Sequence, residues 1–140
     1  MKLLQALVGA ALLLPSALQA ADLSIKVDGI KGEQGQLLVA LYDSDANFLN
    51  ADKASKQLTV ALKDAQSGFK LADLEPGTYA IAIIFDTNSN GKLDTNFIGI
   101  PKEAIGTSNN IKPRFGPPRF ADAKFEIKES RELSITLFDF

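Results

Sequence analysis

Asp86, Asn88, Asn90, Gly91 and Asp94 stand at relative positions 1, 3, 5, 6 and 9 of the stretch DTNSNGKLD. That is the front half of the loop pattern D-x-[DN]-x-[DN]-G, which holds Ca²⁺. The chemistry fits the residue types. Ca²⁺ takes six to eight oxygens from carboxylates, amide carbonyls, backbone carbonyls and water. Four side chains at alternating spacing offer such oxygens, Gly91 allows a sharp turn, and Lys92 can add its backbone carbonyl. Every donor is a hard oxygen, which selects Ca²⁺ over transition metals. Position 12, where a helix–loop–helix hand carries a bidentate Glu, is Phe97. The closing carboxylate must then come from elsewhere, and Glu103, after the GIP turn, is the candidate. The candidate metal ligands are therefore Asp86, Asn88, Asn90, Lys92, Asp94 and Glu103. The competing reading is an Asx-rich turn whose side chains bond their own backbone.

Other stretches could carry chemistry. Asp86, Asp94 and Glu103 could supply a carboxylate pair of the glycosidase kind, or a metal-assisted hydrolase. The chain has no Trp to platform a sugar, and no His or Cys, so acid–base work at neutral pH would need a strongly shifted carboxylate. No residue is assigned a catalytic role. KPRFGPPRF, residues 112–120, interleaves three cations with two Phe. It reads either as an anion patch or as Arg114 and Arg119 laid over apolar surface with their heads in water. YDSDANF adds Asp43, Asp45 and Asn47, a second acidic cluster or a helix cap on a turn over 44–50.

The elements that must position these residues follow a period of two. Leu23, Ile25 and Val27 alternate with Ser24, Lys26 and Asp28. Leu37-Val39-Leu41, Leu58-Val60-Leu62, Phe69-Leu71, Phe125-Ile127 and Leu133-Ile135-Leu137 repeat the pattern. Each predicts a strand with one face in a core and one in water. GTYAIAIIFD has Tyr79, Ile81, Ile83 and Phe85 on one face and Ala80, Ala82 and Ile84 on the other. Both faces are apolar, which predicts a central strand entered from the turn at Glu75-Pro76-Gly77. About seven short strands predict an all-β fold, an antiparallel sandwich of the prealbumin or immunoglobulin kind. One long segment, residues 87–120, lacks alternation, and its Phe97, Ile98, Ile100, Ile105, Ile111, Phe115 and Phe120 predict an ordered loop packed on the sandwich.

Composition bounds the rest. Residues 1–20 carry Lys2, an apolar run over 3–14, Pro15 and a small-residue end at Ala20, the make-up of a secretory signal peptide. Cleavage there would leave 21–140 as one domain and, with Lys2 gone, move the net charge from −2 to −3. A mildly acidic chain makes no case for nucleic acid, which wants a basic face. No later stretch has the roughly 20 apolar residues of a membrane helix. Export to the periplasm or the exterior is the expected location.

LEPGTYAIAIIFDTNSNGKLDTNFIGIPKEAIGTSNN, followed by GPPRFADAKF, resembles the secreted bacterial family called domain of unknown function 2141. Pro76 to Tyr79, Asp86, Asn88, Asn90-Gly91, Leu93-Asp94, Gly99 to Glu103, Gly106, Ser108-Asn109 and Pro117-Pro118 carry the likeness, and GQLLVALYDSDANF fits its opening strand. The resemblance implies a transthyretin-type sandwich and an exported protein, and no activity. Three functions remain in view. One is a non-catalytic module binding an unknown protein or small ligand at the cell envelope, its loop ordered by calcium. The others are a metal-assisted hydrolase and a structural envelope protein.

Overall fold

The computed structural model describes Gly9 and residues 20–140; the rest of the expected signal peptide, 1–8 and 10–19, lies outside the described residues. Two sheets face each other. The smaller has the order β4-β1-β8, from β1 (Ala21–Asp28), β4 (Phe69–Leu74) and β8 (Arg131–Thr136). The larger has the order β3-β2-β5-β6, from β2 (Gln36–Tyr42), β3 (Lys56–Ala61), β5 (Gly77–Asp86) and β6 (Ile105–Thr107). β7 (Phe125–Ile127) pairs with the start of β5, and β6 with its later part. All seven anticipated strands form, and the eighth, β6, comes from the segment expected to be loop.

The alternation places the core. Leu23, Ile25, Leu71, Leu74 and Ile135 from one sheet meet Leu37, Val39, Leu41, Val60, Ile81, Ile83 and Phe85 from the other, all buried. Each fully buried Leu or Ile contributes about 1.5–3 kcal/mol relative to exposure. Among the described residues, β1 and β8 are the one parallel pair. Parallel neighbours need a long crossover, and the rest of the chain between Asp28 and Arg131 provides it.

β5 is the central strand. Its second face is closed by Ala80 and Ala82, both buried, under the 3-10 turn Ser108–Asn110 and the short helix α2 (Phe120–Ala123). Between β6 and β7 the edge of β5 has a gap. Ser108 fills it, its Oγ accepting from the Ile81 N–H at 3.0 Å and donating to the Ala123 carbonyl. Tyr79 is half-buried rather than deeply buried, with its hydroxyl donating to the Glu75 carbonyl at 2.6 Å. The phenol thus staples the 75–77 turn to the strand that follows it.

Three local expectations need correction. Leu62 leaves the third strand for a four-residue helix, α1 (Leu62–Ala65), which keeps it in the core. Residues 45–49 form successive turns, not a capped helix, because Phe48 and Asn50 bond back only three residues and Leu49 takes φ +67°. In the long segment Ile105, Ile111 and Phe120 are part-buried, but Phe97, Ile98, Ile100 and Phe115 are exposed.

Candidate metal centre

The site grows from the end of β5. Asp86 is its last residue and is fully buried, at 0 % exposure. Its partner across the ladder is Gln36 of β2, whose Nε2 donates to Asp86 Oδ2 at 2.8 Å. The chain then turns back over the carboxylate. Gly91 N–H donates to Oδ2 at 2.8 Å and Asn90 N–H to Oδ1 at 3.2 Å. Gly91 takes φ +78°, a left-handed conformation that costs glycine nothing and most other residues something.

Glu103 reaches the site by sheet register. β5 and β6 pair Ala82 with Thr107, Ile83 with Gly106 and Ile84 with Ile105. Carried two residues further, that register sets Glu103 opposite Asp86. Phe85 N–H donating to the Ala104 carbonyl at 2.9 Å continues the pairing. Gly106 lets β6 lie close against β8 as well, because a Cβ there would lie 2.8 Å from the Thr136 carbonyl oxygen and from Ile135 Cγ2. Glu103 is buried, at 5 % exposure. Its Oε2 accepts from the Thr87 N–H at 2.7 Å and hydroxyl at 3.2 Å, and its Oε1 from the Asp94 N–H at 3.0 Å.

Asp94 completes the cluster from the loop surface. Asn88 Nδ2 donates to its Oδ2 at 2.8 Å, and Asn90 Nδ2 lies 2.9 Å from both oxygens. These amide bonds, chiefly from Asn90 and then Asn88, hold the Asp94 carboxyl below the ordinary carboxylate range, helped by the charges of Lys92 and Lys102. Lys92 is exposed, with its N–H donating to Asn90 Oδ1 at 3.1 Å. All six residues named from the sequence therefore belong to one loop system.

One carboxylate oxygen from each of Asp86, Asp94 and Glu103 lies within 4.8 Å of the other two. Two oxygens bound to one Ca²⁺ at about 2.3–2.6 Å stand no more than about 5 Å apart. The spacing therefore fits a calcium ion. Each carboxylate accepts three hydrogen bonds from protein. A carboxylate has about four acceptor sites, which leaves each one for a cation. None of the three enters an ion pair among the described residues. The Asx-turn reading is also met, since Asn88 Oδ1 and Asn90 Oδ1 accept backbone N–H groups two residues on. As oriented, both amides give their NH₂ to Asp94, and ligation through oxygen requires each to turn over.

The other candidates lie apart from this centre. Tyr42 pairs with Ala80, at the end of the β2–β5 ladder opposite Gln36 and Asp86. Asp43 and Asp45 follow Tyr42, so that acidic group sits at the far end of the sandwich. Arg119 binds Asp122 through Nε at 2.9 Å, a surface ion pair. Phe120 packs edge-on to Phe48, which packs edge-on to Tyr42. A hollow of about 450 Å³ beside them is lined by Phe48, Pro118 and Arg119, among others. Ser108, the buried bracket of β5, was not singled out by spacing; a small hydroxyl in a polar run carries no periodic signal.

No helix among the described residues is long and apolar enough to cross a membrane. No curated protein and no solved structure matches the chain. A family model does match, over residues 25–135, which takes in all or part of every strand and the whole carboxylate centre. The chain belongs to the family described as an uncharacterised protein conserved in bacteria, domain of unknown function 2141.

Proposed function

We propose that this protein is an exported, non-catalytic binding module whose 86–103 loop is held in shape by Ca²⁺. The observation that carries the reading is electrostatic. Three carboxylate oxygens lie within 4.8 Å, two of their residues are buried, and no Lys or Arg pairs with them among the described residues. Buried charges in proteins are paired or coordinate metals. Backbone N–H groups offset part of the repulsion, and a divalent cation offsets the rest. Asp86, Asp94 and Glu103 supply the charge, and Asn88, Asn90 and the Lys92 carbonyl supply neutral oxygens.

A metal-assisted hydrolase needs an open coordination position facing a substrate cleft. Two hollows of the surface are lined by other residues, around Phe69 and Glu132 and around Phe48 and Arg119, and neither takes in Asp86, Asp94 or Glu103. That favours the binding module. The location rests on the composition of residues 1–20. Metal analysis of protein purified without chelator, followed by a calcium titration read by thermal melting, tests the proposal. A bound or titratable equivalent of calcium is expected; a flat titration to 10 mM, far above the dissociation constants of weak extracellular sites, overturns it.

A further inference from the structure

Residues 94–102 form a small hairpin that stands on the carboxylate centre. Lys102 N–H donates to the Asp94 carbonyl at 2.8 Å, Thr95 pairs with Pro101, and Asn96 N–H donates to the Ile100 carbonyl at 2.8 Å. The tip is closed from inside. Asn96 Oδ1 accepts from the Ile98 and Ile100 N–H groups at 3.0 Å each, and Gly99 N–H donates to the Asn96 carbonyl at 3.0 Å. A turn this fully bonded holds its side chains in a fixed place, and what it presents is apolar. Phe97 is 99 % exposed, Ile98 65 % and Ile100 43 %. At the base, Lys92 and Lys102 are exposed and enter no ion pair among the described residues.

From this geometry we infer that the Phe97–Ile100 tip inserts into the surface of an anionic lipid bilayer, with Lys92 and Lys102 at headgroup level. An aromatic and two aliphatic side chains ahead of a basic collar match a bilayer surface, where interfacial elements bury apolar side chains about 5–10 Å into the headgroup and acyl boundary. The collar favours a negative surface. Three side chains are also far fewer than the 20–30 residues per side of a stable protein interface. Resting on the calcium reading above, the insertion is cation-gated. Asp86, Asp94 and Glu103 against Lys92 and Lys102 leave the segment 86–103 with one net negative charge. A bound divalent cation reverses that to one positive charge and stiffens the stem, since Asp94 is at once a cluster member and a stem residue and Glu103 bonds its N–H.

Sedimentation of the full chain with phosphatidylcholine vesicles, with and without phosphatidylglycerol, tests this in calcium and in chelator, beside the thermal melt. The expected result is calcium-dependent binding to the anionic vesicles only. Phe97→Ser should weaken it about tenfold or more, the worth of one buried aromatic, with the calcium shift of the melt intact. No vesicle binding while the melt still shifts overturns the insertion and leaves the calcium centre standing. Anionic binding that is equal in chelator, with a flat melt, overturns the gating and the calcium centre together. Unchanged binding by Phe97→Ser overturns the role of the tip. Calcium-induced self-association without vesicles, abolished by Phe97→Ser, assigns the tip to a second copy of the chain and overturns the lipid reading.

Discussion

Glu103 Oε1 accepts the backbone N–H of Asp94 at 3.0 Å, so the acid that closes the carboxylate cluster also pins the hairpin that carries Asp94. Its other oxygen holds Thr87 at the mouth of β5. Glu103→Ala strips the acceptor from two backbone amides at once. Leaving part-buried donors without that acceptor costs about 1 kcal/mol, the low end of the range for buried groups, most of it independent of any metal. Denaturant unfolding in chelator should show the loss. A change below about 0.5 kcal/mol would mean that water replaces Glu103 at no cost.

Asp86 and Asn88 separate the calcium site from the Asx turn. With a dissociation constant of about 0.1 mM and about 1 mM free calcium, binding adds roughly 1.4 kcal/mol. For a domain of this size the melt then rises by about 5 °C. Asp86→Ala should abolish that rise, because it removes the buried carboxylate that accepts from Asn90, Gly91 and Gln36. Asn88→Asp should act with opposite signs in the two states. Without calcium it replaces a donor to Asp94 by a repelling charge and lowers the melt. With calcium it adds a charged oxygen and tightens binding. A variant that moves in the same direction in both conditions argues for the turn alone.

Acid should loosen the same loop. The Asp94 carboxyl is held below its ordinary value by Asn90 and Asn88, so its ionised form is the one the fold favours. A depressed folded value gives stability that is present above the unfolded value, about pH 4, and lost as the pH falls through the folded one. Amide protection at residues 88–94, taken relative to the intrinsic exchange rate at each pH, should therefore fall below about pH 4, and calcium release should accompany it. Loop exchange that shows no such acid step in the Asp94→Asn variant but does in the parent assigns the step to Asp94; the same step in both refutes it.

The two tyrosines make the alkaline counterpart. Burial raises the Tyr42 phenol, and burial, then Glu75 and Asp43, raise that of Tyr79. A raised folded value gives stability that is full below the unfolded value, about 10, and is lost as pH climbs through the folded one. Ultraviolet titration of the folded protein should show both phenols ionising late. Tyr79→Phe removes the bond to the Glu75 carbonyl and should cost about 1 kcal/mol. Because the ring is only half-buried, Tyr79→Ala should cost less than the 3–5 kcal/mol of a fully buried aromatic. Equilibrium unfolding of both variants measures the difference.

What the sequence by itself determined is everything that repeats locally. Alternation at period two named six strands and their inward faces, since a half-buried strand must place apolar residues two apart. The unbroken apolar stretch of β5 marked the central strand, covered on both faces. The spacing of Asp86, Asn88, Asn90, Gly91 and Asp94 was also legible, because those side chains bond within a nine-residue turn. Only the tertiary structure decided what lies far apart along the chain. Glu103 stands beside Asp86 because β6 pairs with β5, and β6 itself has three residues with a Gly at the centre and no alternation to read. The β2–β5 ladder sends Asp43 and Asp45 to the other end of the sandwich. Ser108 becomes the bracket of Ile81 only after β6 and β7 have left a gap in the edge of β5. The exposed Phe97 runs against composition altogether: an apolar residue is expected inward, but a turn closed on Asn96 has its own hydrogen bonds and no core to face. Burial and register are settled by which strands pair, and that choice is made by the free energy of the whole core rather than by any ten residues of it.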